Sequence, residues 1–308
     1  MPTSYLYPYK KITVKILITG KNGQVGKELV TVSGSDPDLD ITALDRTALD
    51  ITNRQAVLDT IFHLGPDAVI NAAAYTAVDQ AESEPELAFS INRDGPAHLA
   101  EACASLKIPL VHISTDYVFD GSQKGKPYIE DQPVGPLGVY GRSKAEGEKR
   151  VRHICSHHLI VRTSWVFSVH GSNFVKTIVR LARKREEMRV VCDQFGCPTS
   201  AKQIAIAIIS MIKEFSGHKA GTYHFAQPPA CSWHELAEAV VELAARQIPL
   251  KVKKIVPIPS SEYPTPARRP SWSVLDCTKI QNIFGISPPE WQVSLEEVIQ
   301  QIVQEQIS

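Results

Sequence analysis

The stretch "TVKILITGKNGQVGKEL", residues 13–29, decides the fold. Its first half is a short apolar run ending in glycine, the pattern of a strand buried on both faces, and "QVGKELVTV" behind the turn has helical spacing. Between the two, Gly20, Gly23 and Gly26 recur at every third residue. In a strand–turn–helix unit such glycines tighten the turn, let the backbone approach a pyrophosphate and let the helix pack close to the strand. The N-terminus of that helix then favours the phosphate charge. An acidic residue should follow about 20 positions on, at the end of the second strand, to take ribose hydroxyls. Asp45 stands there, closing "DITALD". Arg46 beside it suits a 2′-phosphate, so the two neighbours argue for opposite cofactors and leave NADH and NADPH both open.

The same rhythm continues outward. "RQAVLDTIFHLG" reads as a helix, "DAVINAA" as a third strand, and "AFSINRDGPAHLAEACASLK" as a helix interrupted by Gly95 and Pro96. "IPLVHIST" follows as a fourth strand, the segment around Tyr140 as a helix, and "HLIVRTSW" as a fifth strand. Five such units predict an α/β fold, a doubly wound (Rossmann) parallel sheet that binds ligands at the carboxyl ends of its strands. At the end of the third strand, Ala72, Ala73 and Ala74 either leave room for a ligand or pack closely on a helix. After Trp165 the regularity weakens, and prolines gather in "PIPSSEYPTPARRP" from Pro257 to Pro270, an irregular stretch that suits a substrate lid. Two helices there show capping-box spacing, Ser232 with Glu235 and Ser294 with Glu297. The expected organisation is a dinucleotide-binding domain over residues 12–167, to which parts of 202–226 return. A smaller C-terminal substrate-binding lobe covers 168–201 and 227–308, and residues 1–11 form a flexible tail.

With 308 residues, 43% of them apolar and 21% charged, the chain can bury a substantial core and is not a disordered protein. Lys plus Arg and Asp plus Glu both total 33, so no overall field steers it to nucleic acid or to anionic lipid. The six cysteines are scattered, which fits neither a zinc spacing nor a disulfide framework and reads as reduced thiols of a cytosolic protein. The opening "MPTSYLYPYKK" lacks the apolar run of a signal peptide, and "IAIAIISMI" is too short to span a bilayer. A soluble, cytoplasmic protein is expected.

"VYGRSKAE", residues 139–146, sets Tyr140 four residues ahead of Lys144, on the same face of a helix. A phenol with a pKa of about 10 is too weak an acid to exchange protons readily near neutrality. A neighbouring ammonium, with the positive ring of an oxidised nicotinamide, is expected to lower that pKa by roughly one to three units. Tyr140 then becomes the proton donor, and Lys144 also holds the nicotinamide ribose. "ISTDYVFDG" places Ser114, Thr115 and Asp116 beside this helix. Thr115 is the hydroxyl expected to bond a carbonyl oxygen as charge develops on it, with Ser114 facing away by strand alternation. A tyrosine four ahead of a lysine is common on solvated helices, and it becomes a site only when joined to the glycine loop and the strand-end hydroxyl.

Further stretches give the sequence a family likeness: "GKNGQVGKEL", "VINAAAYTAVDQAE", "STDYVFDG", "VYGRSKAEGEK", "RTSWVF", "NFVKTIVRLA", "DQFGCPT", "YPTPARRP" and "SVLD" run in order over nearly the whole chain beyond Val14. With them it resembles the extended short-chain dehydrogenase/reductases and, within these, the dTDP-4-dehydrorhamnose reductase family. The glycine loop and the Tyr–Lys pair are common to the superfamily, whereas "RTSWVF", "DQFGCPT" and "YPTPARRP" are narrower. The resemblance implies NAD(P)H-dependent reduction of the 4-keto group of dTDP-4-dehydro-6-deoxy-L-mannose to dTDP-L-rhamnose. It implies contacts to the dinucleotide from Gly23, Gln24, Val25, Asp45, Asp50, Ile51, Ala72, Ala73, Ala74 and Lys144, with Tyr140 as proton donor and Thr115 tuning its pKa. Thr115, Asp116 and Trp165 would contact the sugar. Arg268 or Arg269 would either pair with the substrate's phosphates or form a solvated loop pair, and Trp165 is either the apolar floor for the deoxysugar or a core aromatic.

Some relatives form a dimer bridged by Mg²⁺ through acidic side chains. Glu28 fits that pattern, but Lys202 stands where a glutamate would be expected, and an ammonium opposes a cation. No metal site is therefore expected, while a homodimer stays open. The shared motifs also allow two other readings, an NAD-dependent nucleotide-sugar epimerase or dehydratase, and a non-catalytic cofactor-binding subunit of a methionine adenosyltransferase.

Overall fold

A computed structural model of the chain describes residues 13–123 and 125–307, and the expected tail, residues 1–11, lies outside the described residues. The first half alternates strand and helix as β1 Val14–Thr19, α1 Gln24–Gly34, β2 Leu39–Leu44, α2 Arg54–Leu64, β3 Ala68–Asn71, α3 Pro85–Phe89, α4 Gly95–Leu106, β4 Leu110–Thr115, α5 Val139–Ile154 and β5 His158–Thr163. The second half has shorter elements: β6 Val166–Phe167, α6 Phe174–Ala182, β7 Glu187–Val191, β8 Phe195–Gly196, β9 Thr199–Ser200, α7 Ala201–Lys213, β10 Gly221–His224, β11 Cys231–Ser232, α8 Trp233–Ala245, β12 Lys254–Ile258, α9 Thr278–Phe284 and α10 Trp291–Ile307.

The main sheet is parallel throughout, in the order β10-β5-β4-β3-β1-β2. The chain runs outward from β1 in one direction and from β3 in the other, so the strand order reverses between them. That switch point opens a crevice at the carboxyl ends of the strands, where the glycine turn after β1 lies. Alternation along β1 feeds both faces. Ile16 and Ile18 pack with Leu29, Ile204, Ile208 and Phe284 under α1, α7 and α9. Leu17 faces the other way, onto Val57, Ile61, Leu99 and Val151 of α2, α4 and α5. A further core joins α6, α8 and α10 through Val175, Val179, Leu236, Val240, Leu295 and Ile299.

Four details differ from the sequence reading or go beyond it. The sheet has a sixth strand, β10, which pairs with β5 at the edge beyond the five strands read from the sequence. The helix around Gly95 and Pro96 is widened rather than broken, with Ser90–Asp94 forming a π-turn directly ahead of α4. Such a turn absorbs the hydrogen bond that a proline cannot donate. The capping box at Ser232 forms both ways, Glu235 N to Ser232 Oγ at 3.1 Å and Ser232 N to Glu235 Oε2 at 2.6 Å. The one at Ser294 does not form, because α10 begins at Trp291. Ser294 Oγ instead accepts from Gln227 at 3.0 Å, and Glu297 pairs with Lys202. None of the six cysteines forms a disulfide, and no helix among the described residues is long and apolar enough to cross a membrane.

Helix α5 sits flush on its neighbours. A Cβ on Gly147 would lie 2.0 Å from the Asn92 carbonyl oxygen, and one on Gly141 would lie 2.2 Å from that of Tyr117. Both neighbours are backbone and cannot rotate aside. Gly147→Ala should therefore cost about 2 kcal/mol of stability, the usual scale for overpacking, as read by chemical denaturation. A loss below about 0.5 kcal/mol would mean that the α5 seat is looser than this geometry requires.

Candidate active site

The crevice at the switch point is a cleft of about 400 Å³ lined by Gly20, Gly23, Asp45, Arg46, Asp50, Ile51, Ala72, Ala73 and Ala74, all singled out in the sequence. Asn22, Leu49, Tyr75, Thr76, Ala77 and Ile91 complete it. Asn22 and Tyr75–Ala77 continue motifs already read, whereas Ile91 arrives from the π-turn and has no signal in the sequence. Gly20 has φ +78°, and a Cβ there would lie 2.5 Å from Ala73 N. The backbone of the alanine run therefore packs on the turn, and Ala72 and Ala73 also pack against the cores on the two faces of the sheet while the run borders the cleft, so both readings of Ala72–Ala74 hold together. A Cβ on Gly26 would lie 2.1 Å from Gly20 O, so only glycine lets α1 start this close to the strand. The cradle fits a dinucleotide phosphate.

Asp45 is firmly held. Its Oδ1 accepts from Thr47 Oγ at 2.7 Å, Thr47 N at 3.1 Å and Ala48 N at 3.1 Å, while Oδ2 meets Asn22 Nδ2 at 3.3 Å and Lys21 Nζ at 3.4 Å. The Thr47 hydroxyl, followed by the Ala48 amide, keeps this carboxyl well below the usual range. Arg46 is exposed at the rim, 3.6 Å from Asp50. Gln24 does not turn into the cleft: its Oε1 accepts from Asn173 Nδ2 at 2.9 Å and from Ser168 Oγ at 3.2 Å, which ties the start of α1 to the segment before α6. Val25 packs into the core beneath α1.

Tyr140, Lys144 and Thr115 converge where β4 meets α5. Tyr140 is half-buried, edge-on to Tyr117 with ring centroids 5.9 Å apart. The Thr115 hydroxyl donates to Asp116 Oδ1 at 3.0 Å and lies close enough to the phenol to pull its pKa down. Lys144 is 2% exposed, and its Nζ donates to the Ile113 carbonyl at 2.6 Å. Ser114 faces away as expected, onto Glu148 at 2.6 Å.

The electrostatics correct one expectation. Burial pushes the Tyr140 phenol up to about 12, against a smaller downward pull from Thr115. Burial also lowers Lys144, to about 8, while Glu148 pulls it back up. For a reduction this is no obstacle, since an alkoxide is a stronger base than a phenolate and needs a phenol that has kept its proton. Asp116 is pushed up to about 7 by burial, which outweighs its hydroxyl neighbours Ser273 and Thr115. Its Oδ2 and the hydroxyl of Thr163, in register with Thr115 on β5, are buried without a protein partner.

Trp165 has a left-handed backbone, φ +47°, uncommon for a bulky residue and the kind of strain that persists at functional positions. It stacks on Trp233, interplanar angle 5°, and Gly196 leaves the space, because a Cβ there would lie 2.5 Å from the indole. Trp233 did not stand out in the sequence, whereas Gly196 lies within the "DQFGCPT" motif. Arg269 forms a bidentate pair with Asp79 at 2.8 and 3.0 Å and is engaged in joining two loops, while Arg268 is exposed. Beside Glu28, burial raises the carboxyl while His170, 3.8 Å away, and Lys202 pull it back down, and Lys202 itself bonds Glu297 at 2.8 Å. No group of three or more potential metal ligands occurs among the described residues.

A parallel sheet with a glycine turn at its switch point and a Tyr–Lys helix on its rim defines a Rossmann-fold reductase of the short-chain dehydrogenase/reductase class. More narrowly, the family model described as the RmlD substrate binding domain matches residues 14–304, and the chain belongs to that family. It is 44% identical over 294 residues to the dTDP-4-dehydrorhamnose reductase of Sinorhizobium fredii, covering 93% of this chain and 97% of the relative. A solved dTDP-4-dehydrorhamnose reductase from Clostridium acetobutylicum superposes with a TM-score of 0.88 at 39% identity, over 94% of this chain and 99% of that one. Another from Bacillus anthracis, in complex with NADP, superposes with a TM-score of 0.87 at 37% identity over 94% of this chain and 99% of its own.

The buried lysine sets a pH dependence. A reaction that needs the Lys144 ammonium should keep its rate below about pH 8 and lose it as the pH rises through that value. A rate that holds undiminished to about pH 10, the ordinary lysine range, would show that the charge is not needed.

Proposed function

We propose that this chain reduces the 4-keto group of dTDP-4-dehydro-6-deoxy-L-mannose to dTDP-L-rhamnose, with NADPH or NADH as reductant and Tyr140 as proton donor. The observation that carries the reading is the meeting of Tyr140, Thr115 and Lys144 where β4 meets α5, with Tyr140 packed in one cluster with Tyr75 of the glycine-turn cleft, in a chain 44% identical to a dTDP-4-dehydrorhamnose reductase. When bound, the nicotinamide supplies the hydride. Thr115 bonds the carbonyl oxygen as charge gathers there, and the Tyr140 phenol releases its proton to that oxygen. Lys144 stabilises the phenolate left behind and holds the ribose. The unpartnered Asp116 Oδ2 and Thr163 hydroxyl are groups that sugar hydroxyls can satisfy, and the Trp165 indole offers the deoxysugar an apolar face. Of the two arginines, exposed Arg268 is the candidate for the substrate's phosphates, since Arg269 is bound to Asp79.

Three measurements test this. Net loss of NADPH absorbance should depend on the dTDP-4-keto sugar; an epimerase or dehydratase regenerates its cofactor and would show none. Tyr140→Phe should lower turnover by about a hundredfold or more with the fold intact, and full turnover would remove Tyr140 from its role. Both cofactors should serve, because Asp45 is already held by its own loop while Arg46 lies exposed at the rim. Arg46→Ala should then raise the KM for NADPH by about tenfold, a lost phosphate contact, and leave that for NADH within about twofold. Equal changes for both would refute the 2′-phosphate role.

A further inference from the structure

Glu148 lies one helical turn beyond Lys144 on α5 and is 0% exposed. Its Oε1 accepts from Ser114 Oγ at 2.6 Å and Arg162 Nε at 2.9 Å, and its Oε2 from Arg162 Nη2 at 2.7 Å and Arg152 Nη1 at 3.0 Å. All of its acceptor capacity is thus spent on two neighbouring strands and its own helix. The last three residues of β4 are bound in succession: Ile113 through its carbonyl by Lys144, Ser114 by Glu148, and Thr115 by Asp116. The register between α5 and β4 decides whether the phenol, the ammonium and the threonine hydroxyl face one point.

We propose that Glu148 is a positioning residue for this reaction, fixing α5 to the end of β4 through Ser114 and supplying the negative charge that balances the buried Lys144 ammonium. The proposal rests on the function given above. No carboxylate bonds the ammonium directly among the described residues. Glu148 is the charged group that acts on it and His112 on β4 lies close enough to feel it, while Arg152 and Arg162 bond Glu148 and His224 on β10 lies beside Arg162. His112 is held neutral by burial, as is His224, and both guanidiniums repel a further cation. Glu148 is therefore the carboxylate that offsets Lys144, while the arginines that bond it keep it ionised.

Three variants separate position from charge. Ser114→Ala cuts the bond to β4 and leaves the charge, so kcat should fall about tenfold, as expected of a misplaced reacting group, with the pH profile unmoved. Glu148→Gln removes the charge, so the alkaline loss of activity should begin about one pH unit lower. Glu148→Asp keeps the charge and should restore the alkaline limb. The same shift should appear in NADPH binding followed by fluorescence against pH, which needs no sugar. Wild-type kcat in Ser114→Ala, or an identical alkaline limb in Glu148→Gln and the wild type by both readouts, overturns the proposal. If Glu148→Gln does not fold, Ser114→Ala and the limb of Glu148→Asp still decide it. A wild type that binds NADPH but does not turn over the dTDP-4-keto sugar would instead sink the functional reading and leave the binding test of Glu148 standing.

Discussion

The Lys144 ammonium is buried at 2% exposure on the inner face of α5, bonded to the carbonyl of Ile113, and much of the molecule exists to make that tolerable. An isolated ammonium in a protein interior costs several kcal/mol unless polar and charged neighbours compensate. Here the compensation is layered: one carbonyl bond, one carboxylate a helical turn away, and two arginines that anchor that carboxylate. Burial still wins in part, and the lysine falls to about 8. The same burial raises the tyrosine to about 12, so the resting pair has a phenol that keeps its proton and an ammonium close to losing its own. That combination suits proton delivery to an alkoxide better than the reverse reaction.

Close approach of backbone to backbone sets the geometry around this pair. Gly141 and Gly147 let α5 lie on the Tyr117 and Asn92 carbonyls, and Gly20 and Gly26 do the same for the turn, the alanine run and the start of α1. Asn92 reinforces the seat by donating to Ser143 at 3.0 Å. Further contacts hold the later part of the chain to this frame. Gln24 reaches Asn173 and Ser168, and Arg269 reaches Asp79. Trp165, itself in the left-handed region just after β5, stacks on Trp233 of α8. Lys202 bonds Glu297 on α10, and Glu28 on α1 faces His170 at 3.8 Å.

The sequence by itself determined the strand–turn–helix opening, the first five strands, the glycine cradle with Asp45, and the Tyr140–Lys144–Thr115 set. Each is written in local spacing: an apolar run, glycines at every third residue, or two side chains four apart on a helix. Tertiary structure alone decided the sixth strand, whose four residues take their place from pairing with β5, and the fate of Ser294, whose capping pattern was overridden when α10 began at Trp291. It also decided that Arg269 belongs to Asp79, that Trp233 lies under Trp165, and that Tyr140 is made less acidic rather than more. Spacing along a chain records which residues share a face. It does not record how deeply that face is buried or which distant groups close over it, and desolvation and long-range pairing set the charge states of this site.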